Sequence, residues 1–142
     1  MKYFLLIISF ILTLSSCKDD FVDNNKYLPN ISVNFSVDLN LPEANGLLVV
    51  GGYAKFPNQG IRGVIVFNNG LDNYIAFDLA CPHIPLQDCS TMTFNQGDLF
   101  MKCECDGEKF SKLDGSPLNP NIQYAARMYL VEKSGNTLFI HN

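Results

Sequence analysis

The sequence predicts a small all-β domain, an antiparallel sandwich or barrel with two cysteine-bearing loops at its tip. Short runs of apolar and β-branched residues recur along the chain, and glycine, proline and asparagine separate them every few residues. No window of ten or more positions shows the 3.6-residue apolar period of a helix. The length of 142 residues suits one such domain plus a targeting segment and argues against two domains.

The charge balance excludes some classes of function. Ten Lys and Arg residues against fourteen Asp and Glu residues give a formal net charge of −4, and the basic residues form no cluster. The sequence therefore lacks the electrostatic footprint of a nucleic-acid-binding protein. No apolar run reaches the ~20 residues that a membrane-spanning helix needs. The distinguishing chemistry of the chain lies in its five cysteines.

Residues 1–16 are predicted to be a secretory signal peptide. Lys2 supplies a positive charge, Tyr3–Leu14 is almost continuously apolar, and two serines lead into Cys17. This segment resembles the lipobox of bacterial lipoproteins, which implies that the chain is cut before Cys17 and that the Cys17 sulfur is acylated. The predicted location is the bacterial cell envelope, with the lipid holding the protein on the periplasmic or surface face of the outer membrane. Four cysteines then remain in an oxidising compartment.

The mature chain is predicted to begin with a flexible tether, residues 17–30, followed by the β domain, residues 31–142. The tether is polar and acidic, whereas Ile31–Leu39 alternates apolar and polar residues over nine positions, the period of a half-buried strand. Turn residues at 51–52, 68–70 and 134–136 separate later strands. The predicted strands are Ile31–Leu39, Leu47–Val50, Tyr53–Phe56, Gly63–Phe67, Asn73–Asp78, Leu99–Lys102, Glu108–Phe110, Arg127–Glu132 and Thr137–His141.

Two segments interrupt the strand pattern and concentrate the reactive side chains. The first contains Cys81-Pro82-His83 and ends at Cys89, and the second reads Cys103-Glu104-Cys105-Asp106-Gly107. Each follows an apolar strand. Thiolate, imidazole and carboxylate donors that converge from two loops on a rigid scaffold are what a metal or iron–sulfur centre needs.

These loops resemble those of Rieske-type iron–sulfur domains. That family has Cys-x-His in one loop and Cys-x-x-His in a second, often followed by glycine and an aromatic residue. The resemblance covers about residues 31–142 and is carried mainly by residues 63–131. It implies a Rieske-like fold and a [2Fe-2S] cluster, with Cys81 and Cys103 on one iron and His83 on the other.

The same resemblance implies a disulfide between Cys89 and Cys105, as between the extra cysteines of respiratory-chain Rieske proteins. The implied function is electron transfer, in which the cofactor carries the chemistry and the protein is not an enzyme by itself. A redox partner on the same membrane is expected, and no nucleic acid. The common nucleotide-binding and hydrolase motifs are absent from the sequence.

One position departs from the family pattern, because Asp106 stands where the second histidine is expected. A carboxylate is harder than imidazole and carries a negative charge, so it should lower the potential of the cluster. The other histidine, His141, is the penultimate residue and a poor candidate for the missing ligand. An alternative ligand set replaces Asp106 with Cys105 and leaves Cys89 unpaired. Zinc at these positions is a further possibility.

An alternative hypothesis is that the protein binds no cluster. If the fold is Rieske-like, the four cysteines would then pair as Cys81–Cys103 and Cys89–Cys105 and staple the tip of the domain. His83 would become an ordinary loop residue, hydrogen-bonded to the nearby aspartate. In this reading the protein is a structural or binding module of the cell envelope.

Overall fold

The computed structural model of the protein describes residues 25–142, so the predicted signal peptide and Cys17 lie outside the described residues. The described chain consists of short strands and turns with one 3₁₀ segment, Pro42–Leu48. The strands, numbered in chain order, are β1 (Asn34–Asp38), β2 (Tyr53–Phe56), β3 (Val64–Asn68), β4 (Tyr74–Asp78), β5 (Met92–Thr93), β6 (Phe100–Cys103), β7 (Lys109–Ser111), β8 (Met128–Ser134) and β9 (Thr137–His141).

These strands form two antiparallel sheets. The larger sheet has six strands in the order β1-β9-β8-β4-β3-β2, and the smaller has three in the order β5-β6-β7. The prediction of an all-β antiparallel domain is confirmed. Two hairpins, β3–β4 and β8–β9, meet through the pairing of β4 with β8 at Phe77 and Met128. This pairing joins the two halves of the large sheet.

Strand β3 explains how the two sheets share a core. All five of its residues are buried, because both faces of the strand are covered. Val64 and Val66 face one apolar cluster, whereas Ile65 and Phe67 face another, as the two-residue period of a strand requires. The continuous apolar run in the sequence is therefore the signature of a strand buried on both sides.

The two clusters differ in composition. The aliphatic cluster is enclosed by the large sheet and the 3₁₀ segment. The aromatic–sulfur cluster lies around the small sheet and the cysteine loops. Buried members of the aliphatic cluster are Val33, Val37, Leu39, Ala44, Leu47, Ala54, Val64, Val66, Ala76, Tyr129, Leu138 and Ile140, and those of the aromatic–sulfur cluster are Ile65, Phe67, Phe77, Leu79, Cys81, Met92, Phe94, Met101, Cys103, Phe110 and Ala126.

One prediction about local structure was wrong, and one short strand was missed. The predicted strand Leu47–Val50 is instead the end of the 3₁₀ segment and a turn. Ala44 and Leu47 are both fully buried, and their spacing of three residues matches the period of a 3₁₀ helix. Strand β5 was not predicted, because two residues are too few to show an alternation.

The described part of the predicted tether packs against the domain. Asn25 and Leu28 are buried, so the β domain gains residues from a segment that the sequence placed outside it. The prediction of a tether over residues 17–24 lies outside the described residues. The helical structure of residues 25–142 includes no segment with the length and hydropathy of a membrane span.

Candidate metal centre

Backbone hydrogen bonds within each of the two cysteine loops fix their turns at one end of the domain. In the first loop, the Cys81 N–H donates to the Ser90 carbonyl at 3.0 Å. In the second, the Cys103 N–H donates to the Glu108 carbonyl at 2.8 Å, and the Gly107 N–H returns to the Cys103 carbonyl at 2.9 Å. Gly107 has a φ of +80°, a conformation that a residue with a side chain adopts with difficulty. These turns present the reactive side chains of both loops at adjacent positions.

A buried carboxylate ties the first loop to the large sheet. Asp78, the last residue of β4, is fully buried. Its Oδ2 accepts from the Ile61 N–H at 2.6 Å and from the Tyr129 hydroxyl at 2.8 Å. Its Oδ1 accepts from the N–H groups of Ala80 at 2.8 Å and Arg62 at 3.2 Å. The side chain thus fixes the chain direction just before Cys81.

Two disulfides join the loops. Cys81 is bonded to Cys103 with their Cα atoms 5.7 Å apart, and Cys89 is bonded to Cys105 with their Cα atoms 5.0 Å apart. Cys81 and Cys103 are fully buried, whereas Cys89 is exposed. The structure contains the Cys89–Cys105 bond that the Rieske resemblance implied. It also contains the Cys81–Cys103 bond expected when no cluster is bound.

His83 and Asp106 lie in direct contact across the two loops. The His83 Nε2 donates to the Asp106 Oδ2 at 2.7 Å, and the side chains are 11% and 37% exposed, respectively. The imidazole also stacks in a tilted arrangement on Phe110, with ring centroids 5.4 Å apart. The other imidazole nitrogen, Nδ1, is buried and has no hydrogen-bond partner among the described residues.

The electrostatics of this pair favour an ionised aspartate. Burial acts to raise the pKa of Asp106, but the hydrogen bonds from His83 and from the Glu108 N–H outweigh it and hold the pKa below its ordinary value. The Glu108 N–H donates to Oδ1 at 3.1 Å, so both carboxylate oxygens accept a hydrogen bond. Asp106 therefore offers a negatively charged oxygen beside the imidazole at neutral pH.

The structure places the four predicted ligands, Cys81, His83, Cys103 and Asp106, close together. One donor atom each from His83, Cys103 and Asp106 lies within 4.8 Å of the others, and the Cys81 sulfur is bonded to that of Cys103. Cys105, the alternative fourth ligand, is bonded to Cys89. His141 lies on β9, where its Nε2 is 3.6 Å from a Glu132 carboxylate oxygen.

Two side chains near the site were not singled out from the sequence. Asn25 is buried and its Nδ2 donates to the Pro82 carbonyl at 2.8 Å. The Gln87 Nε2 donates to the Cys105 Sγ at 3.3 Å. Neither contact has a local sequence signal, since Asn25 lies 57 residues from its partner and an exposed glutamine in a loop is unremarkable. Only the three-dimensional arrangement reveals them.

The donor set fits a [2Fe-2S] centre with one substituted ligand. Two cysteines on neighbouring loops could supply thiolates to one iron, and the imidazole and carboxylate lie on the same loops. The orphaned Nδ1 is the kind of buried polar atom that a bound metal would satisfy. The Cys81–Cys103 disulfide would have to be reduced first, because only the thiolate form of cysteine ligates a metal.

Known proteins resemble this chain in backbone architecture. No protein-family model matches the chain, and no curated protein matches it. Among solved structures, the ferredoxin of carbazole 1,9a-dioxygenase from Nocardioides aromaticivorans IC177 is 21% identical, with a TM-score of 0.45, and the match covers 65% of this chain and 86% of that chain. A cyanobacterial plasma membrane Rieske protein from Synechocystis PCC 6803 is 22% identical, with a TM-score of 0.49, and the match covers 78% and 98%.

A complex of reduced oxygenase and oxidized ferredoxin in carbazole 1,9a-dioxygenase supplies a third match. It is 16% identical, with a TM-score of 0.48, over 80% of this chain and 94% of that chain. The fold of this chain is a six-stranded antiparallel sheet with a small second sheet that bears Cys103. Likenesses of this degree carry no conclusion about what the chain binds.

Proposed function

We propose that this protein is an electron-transfer lipoprotein of the bacterial envelope with a [2Fe-2S] centre at the tip of its Rieske-like domain. Cys81 and Cys103 would hold one iron, and His83 and Asp106 the other. When bound, the cluster would accept and return one electron at a time, a reaction that side chains alone do not perform. The protein would make no bond in a substrate and is not proposed as an enzyme.

The observation that carries the proposal is the convergence of unlike donors, with Cys103 buried, His83 half-buried and Asp106 exposed. The donor atoms of His83, Cys103 and Asp106 lie within 4.8 Å of one another, and the His83 Nδ1 is buried without a hydrogen-bond partner among the described residues. A buried polar nitrogen left unpaired costs about 1–3 kcal/mol. A metal bound at this nitrogen would recover that cost, and Asp106 would have to give up its hydrogen bond with Nε2 to bind the same metal.

The Cys81–Cys103 disulfide is the oxidised form of the two proposed thiolate ligands. Two electrons and two protons convert it into two thiols, which lose their protons when they bind a metal. The bond holds the cysteine Cα atoms 5.7 Å apart on adjacent loops, so both sulfurs start from neighbouring positions. Ligation would therefore need reduction of the pair before or during cluster insertion.

Asp106 would distinguish this centre from one with two histidines. Its pKa lies below the ordinary value, so it would carry a negative charge at neutral pH. An anionic ligand favours the more oxidised state of a metal centre, because it stabilises the larger positive charge. The proposed potential is therefore lower than that of a two-histidine centre.

The residues that precede the domain support the proposed anchoring and location. We propose that Cys17 carries the lipid and that residues 17–24 connect it to the first described residue, Asn25, which is buried. Eight residues span at most about 27 Å when fully extended. The Asn25 side chain bonds to the Pro82 carbonyl, so the connection leaves the domain beside the cysteine loops. A redox partner on the same membrane would meet the centre within that distance of the lipid.

Iron binding tests the proposed ligands. The full-length protein is expressed anaerobically with iron and sulfide supplied and purified in detergent, and bound iron, labile sulfide and visible absorbance are measured. We expect iron binding in the parent protein, loss of most iron in Asp106→Ala, and greater retention in Asp106→His. His141→Ala is the matched control, since it removes a histidine outside the loops, and it should retain iron. Equal iron in all four proteins would exclude Asp106 as a ligand.

A second candidate function is favoured by the two disulfides. With Cys81–Cys103 and Cys89–Cys105 both formed, the domain would be a cluster-free binding or structural module of the envelope. Each bond would stabilise the loops by about 2–4 kcal/mol. A colourless parent protein with four oxidised cysteines, prepared under the anaerobic conditions above, would favour this candidate over electron transfer.

A further inference from the structure

The two disulfides differ in their access to solvent. Cys81 and Cys103 are fully buried within the aromatic–sulfur cluster. Cys89 is exposed at the end of the first loop, and Cys105 is half-buried. A thiolate must approach a disulfide sulfur directly to attack it, so access decides which bond reacts. Only the outer bond, Cys89–Cys105, presents a sulfur-bearing residue to solvent.

The environment of Cys105 makes it the better leaving group of the outer pair. The Gln87 Nε2 donates a hydrogen bond to the Cys105 Sγ at 3.3 Å. A donor aimed at sulfur stabilises the negative charge that develops when the S–S bond breaks. Among the described residues, no such donor reaches the Cys89 sulfur. Attack at the exposed Cys89 and departure of Cys105 are therefore favoured by the same arrangement.

The backbone of Gln87 is held independently of its side chain. Its carbonyl accepts from the Ser90 hydroxyl at 2.8 Å and from an Arg62 guanidinium nitrogen at 2.7 Å, and its N–H donates to the Ser90 Oγ at 2.9 Å. The loop is thus fixed in a conformation that directs the Gln87 amide at Cys105. A substitution of the Gln87 side chain leaves these bonds in place.

We propose that Cys89–Cys105 is a thiol–disulfide exchange site for a dithiol reductant. A thiolate of the dithiol attacks the Cys89 Sγ, forms a mixed disulfide with it and expels Cys105 as a thiolate that Gln87 stabilises. The second thiolate of the dithiol then attacks the first sulfur of the dithiol, which is bonded to Cys89 in the mixed disulfide. This attack releases Cys89 as a thiolate. The dithiol leaves oxidised to a disulfide, two electrons pass to the protein, and two protons end on Cys89 and Cys105.

This exchange is independent of the proposed cluster. Cys89 and Cys105 are not among the proposed ligands, and the reaction requires neither iron nor sulfide. Opening the outer bond would remove one of the two links between the loops and expose the neighbouring inner pair. Protein without a cluster, in which the inner disulfide is formed, would therefore respond to dithiols in two stages, first at the outer bond and later at the inner one.

Differential alkylation tests the order of the two stages. The full-length protein in detergent is treated with limiting dithiothreitol for increasing times, alkylated with iodoacetamide and mapped by peptide mass. We expect labelling of Cys89 and Cys105 to precede that of Cys81 and Cys103 by at least about tenfold in rate. Simultaneous labelling of all four, or earlier labelling of the inner pair, would overturn the proposal.

The site of attack and the role of Gln87 need separate measurements. With glutathione as a monothiol, the mixed disulfide should be trapped on Cys89, and capture on Cys105 would contradict the assignment. Gln87→Leu should slow reduction of the outer bond about three- to tenfold, the effect of losing one hydrogen bond to the leaving group. Gln96→Leu, an exposed glutamine with no side-chain hydrogen bond to any described residue, is the control and should leave the rate unchanged. Equal rates in both variants would exclude Gln87 from the reaction.

Discussion

The two apolar clusters of this domain use different side chains for different purposes. The aliphatic cluster lies inside the large sheet and consists mainly of valine, leucine, isoleucine and alanine. The aromatic–sulfur cluster supports the cysteine loops and contains four buried phenylalanines, two methionines and the Cys81–Cys103 pair. Rings and polarisable sulfur fill the irregular space beneath turns, whereas branched aliphatic side chains fill the regular space between strands.

The two clusters are expected to differ in how they affect the candidate site. Strand β3 contributes to both clusters, with Val64 and Val66 on one side and Ile65 and Phe67 on the other. A change in the aliphatic cluster should therefore weaken the whole fold without altering the site. A change in the aromatic–sulfur cluster should weaken the fold and also alter the site. The predictions that follow test this distinction in order of decreasing effect.

Truncation of one fully buried residue in each cluster should have the largest effect. Phe110→Ala should cost about 3–5 kcal/mol of unfolding free energy and Leu138→Ala about 2–5 kcal/mol, because each leaves a cavity. Only Phe110→Ala removes the ring beneath His83 and should speed the reduction of Cys81–Cys103 by dithiothreitol. Urea unfolding measures the change in unfolding free energy. Alkylation after treatment with dithiothreitol, in the absence of urea, measures the rate at which Cys81–Cys103 is reduced. An equal rise in the reduction rate for Leu138→Ala would contradict the claim that only the aromatic–sulfur cluster supports the site.

Removal of each disulfide compares the buried and exposed parts of the site. The sequence separations of 22 and 16 residues predict nearly equal entropic contributions of about 3 kcal/mol each. Cys89→Ser with Cys105→Ser should therefore cost about this amount. Cys81→Ala with Cys103→Ala should cost more, since the buried sulfur atoms also lose their packing. Unfolding by urea under non-reducing conditions measures both, and an equal cost would show that burial of the inner pair contributes nothing.

Asp78→Asn tests the connection between the large sheet and the first loop. Four donors converge on the Asp78 carboxylate, two on each oxygen. An asparagine keeps one oxygen and places its NH₂ group opposite the two donors that bonded to the other oxygen. The expected loss is about 1–3 kcal/mol of unfolding free energy, the cost of buried donors left unpaired. Thermal and urea unfolding report it. Stability equal to that of the parent protein would mean that the first loop does not depend on this carboxylate.

Asp106→Asn should have the smallest effect on stability and a distinctive dependence on pH. The folded state lowers the pKa of Asp106, so the ionised group stabilises the fold above its unfolded pKa, and the effect is lost as pH falls through the lower folded value. The exposed side chain limits the difference at pH 7 to less than about 1 kcal/mol. Unfolding free energies of the two proteins should converge as pH falls below about 4. A difference that persists in acid would assign the effect to something other than the ionised pair.

The strands were largely predictable because their signals are local. Alternation over Ile31–Leu39 and the turn at 134–136 led to β1 and to the β8–β9 hairpin. The apolar run Leu47–Val50 was misleading, since a run of four cannot distinguish a strand from a tight helical turn. The site was predictable only where residue types carry a motif, as with Cys81, His83 and Cys103. The contacts of Asn25, Asp78 and Gln87 depend on partners distant in sequence, and no local pattern reports them.

The iron and labile sulfide content of the native protein tests the central claim most directly. The full-length protein is extracted anaerobically from envelope membranes, and both elements are counted per chain together with the oxidation state of Cys81 and Cys103. The proposed centre predicts two irons and two sulfides per chain, with Cys81 and Cys103 free of the disulfide. A protein without iron, in which all four loop cysteines are found as Cys81–Cys103 and Cys89–Cys105, would contradict it.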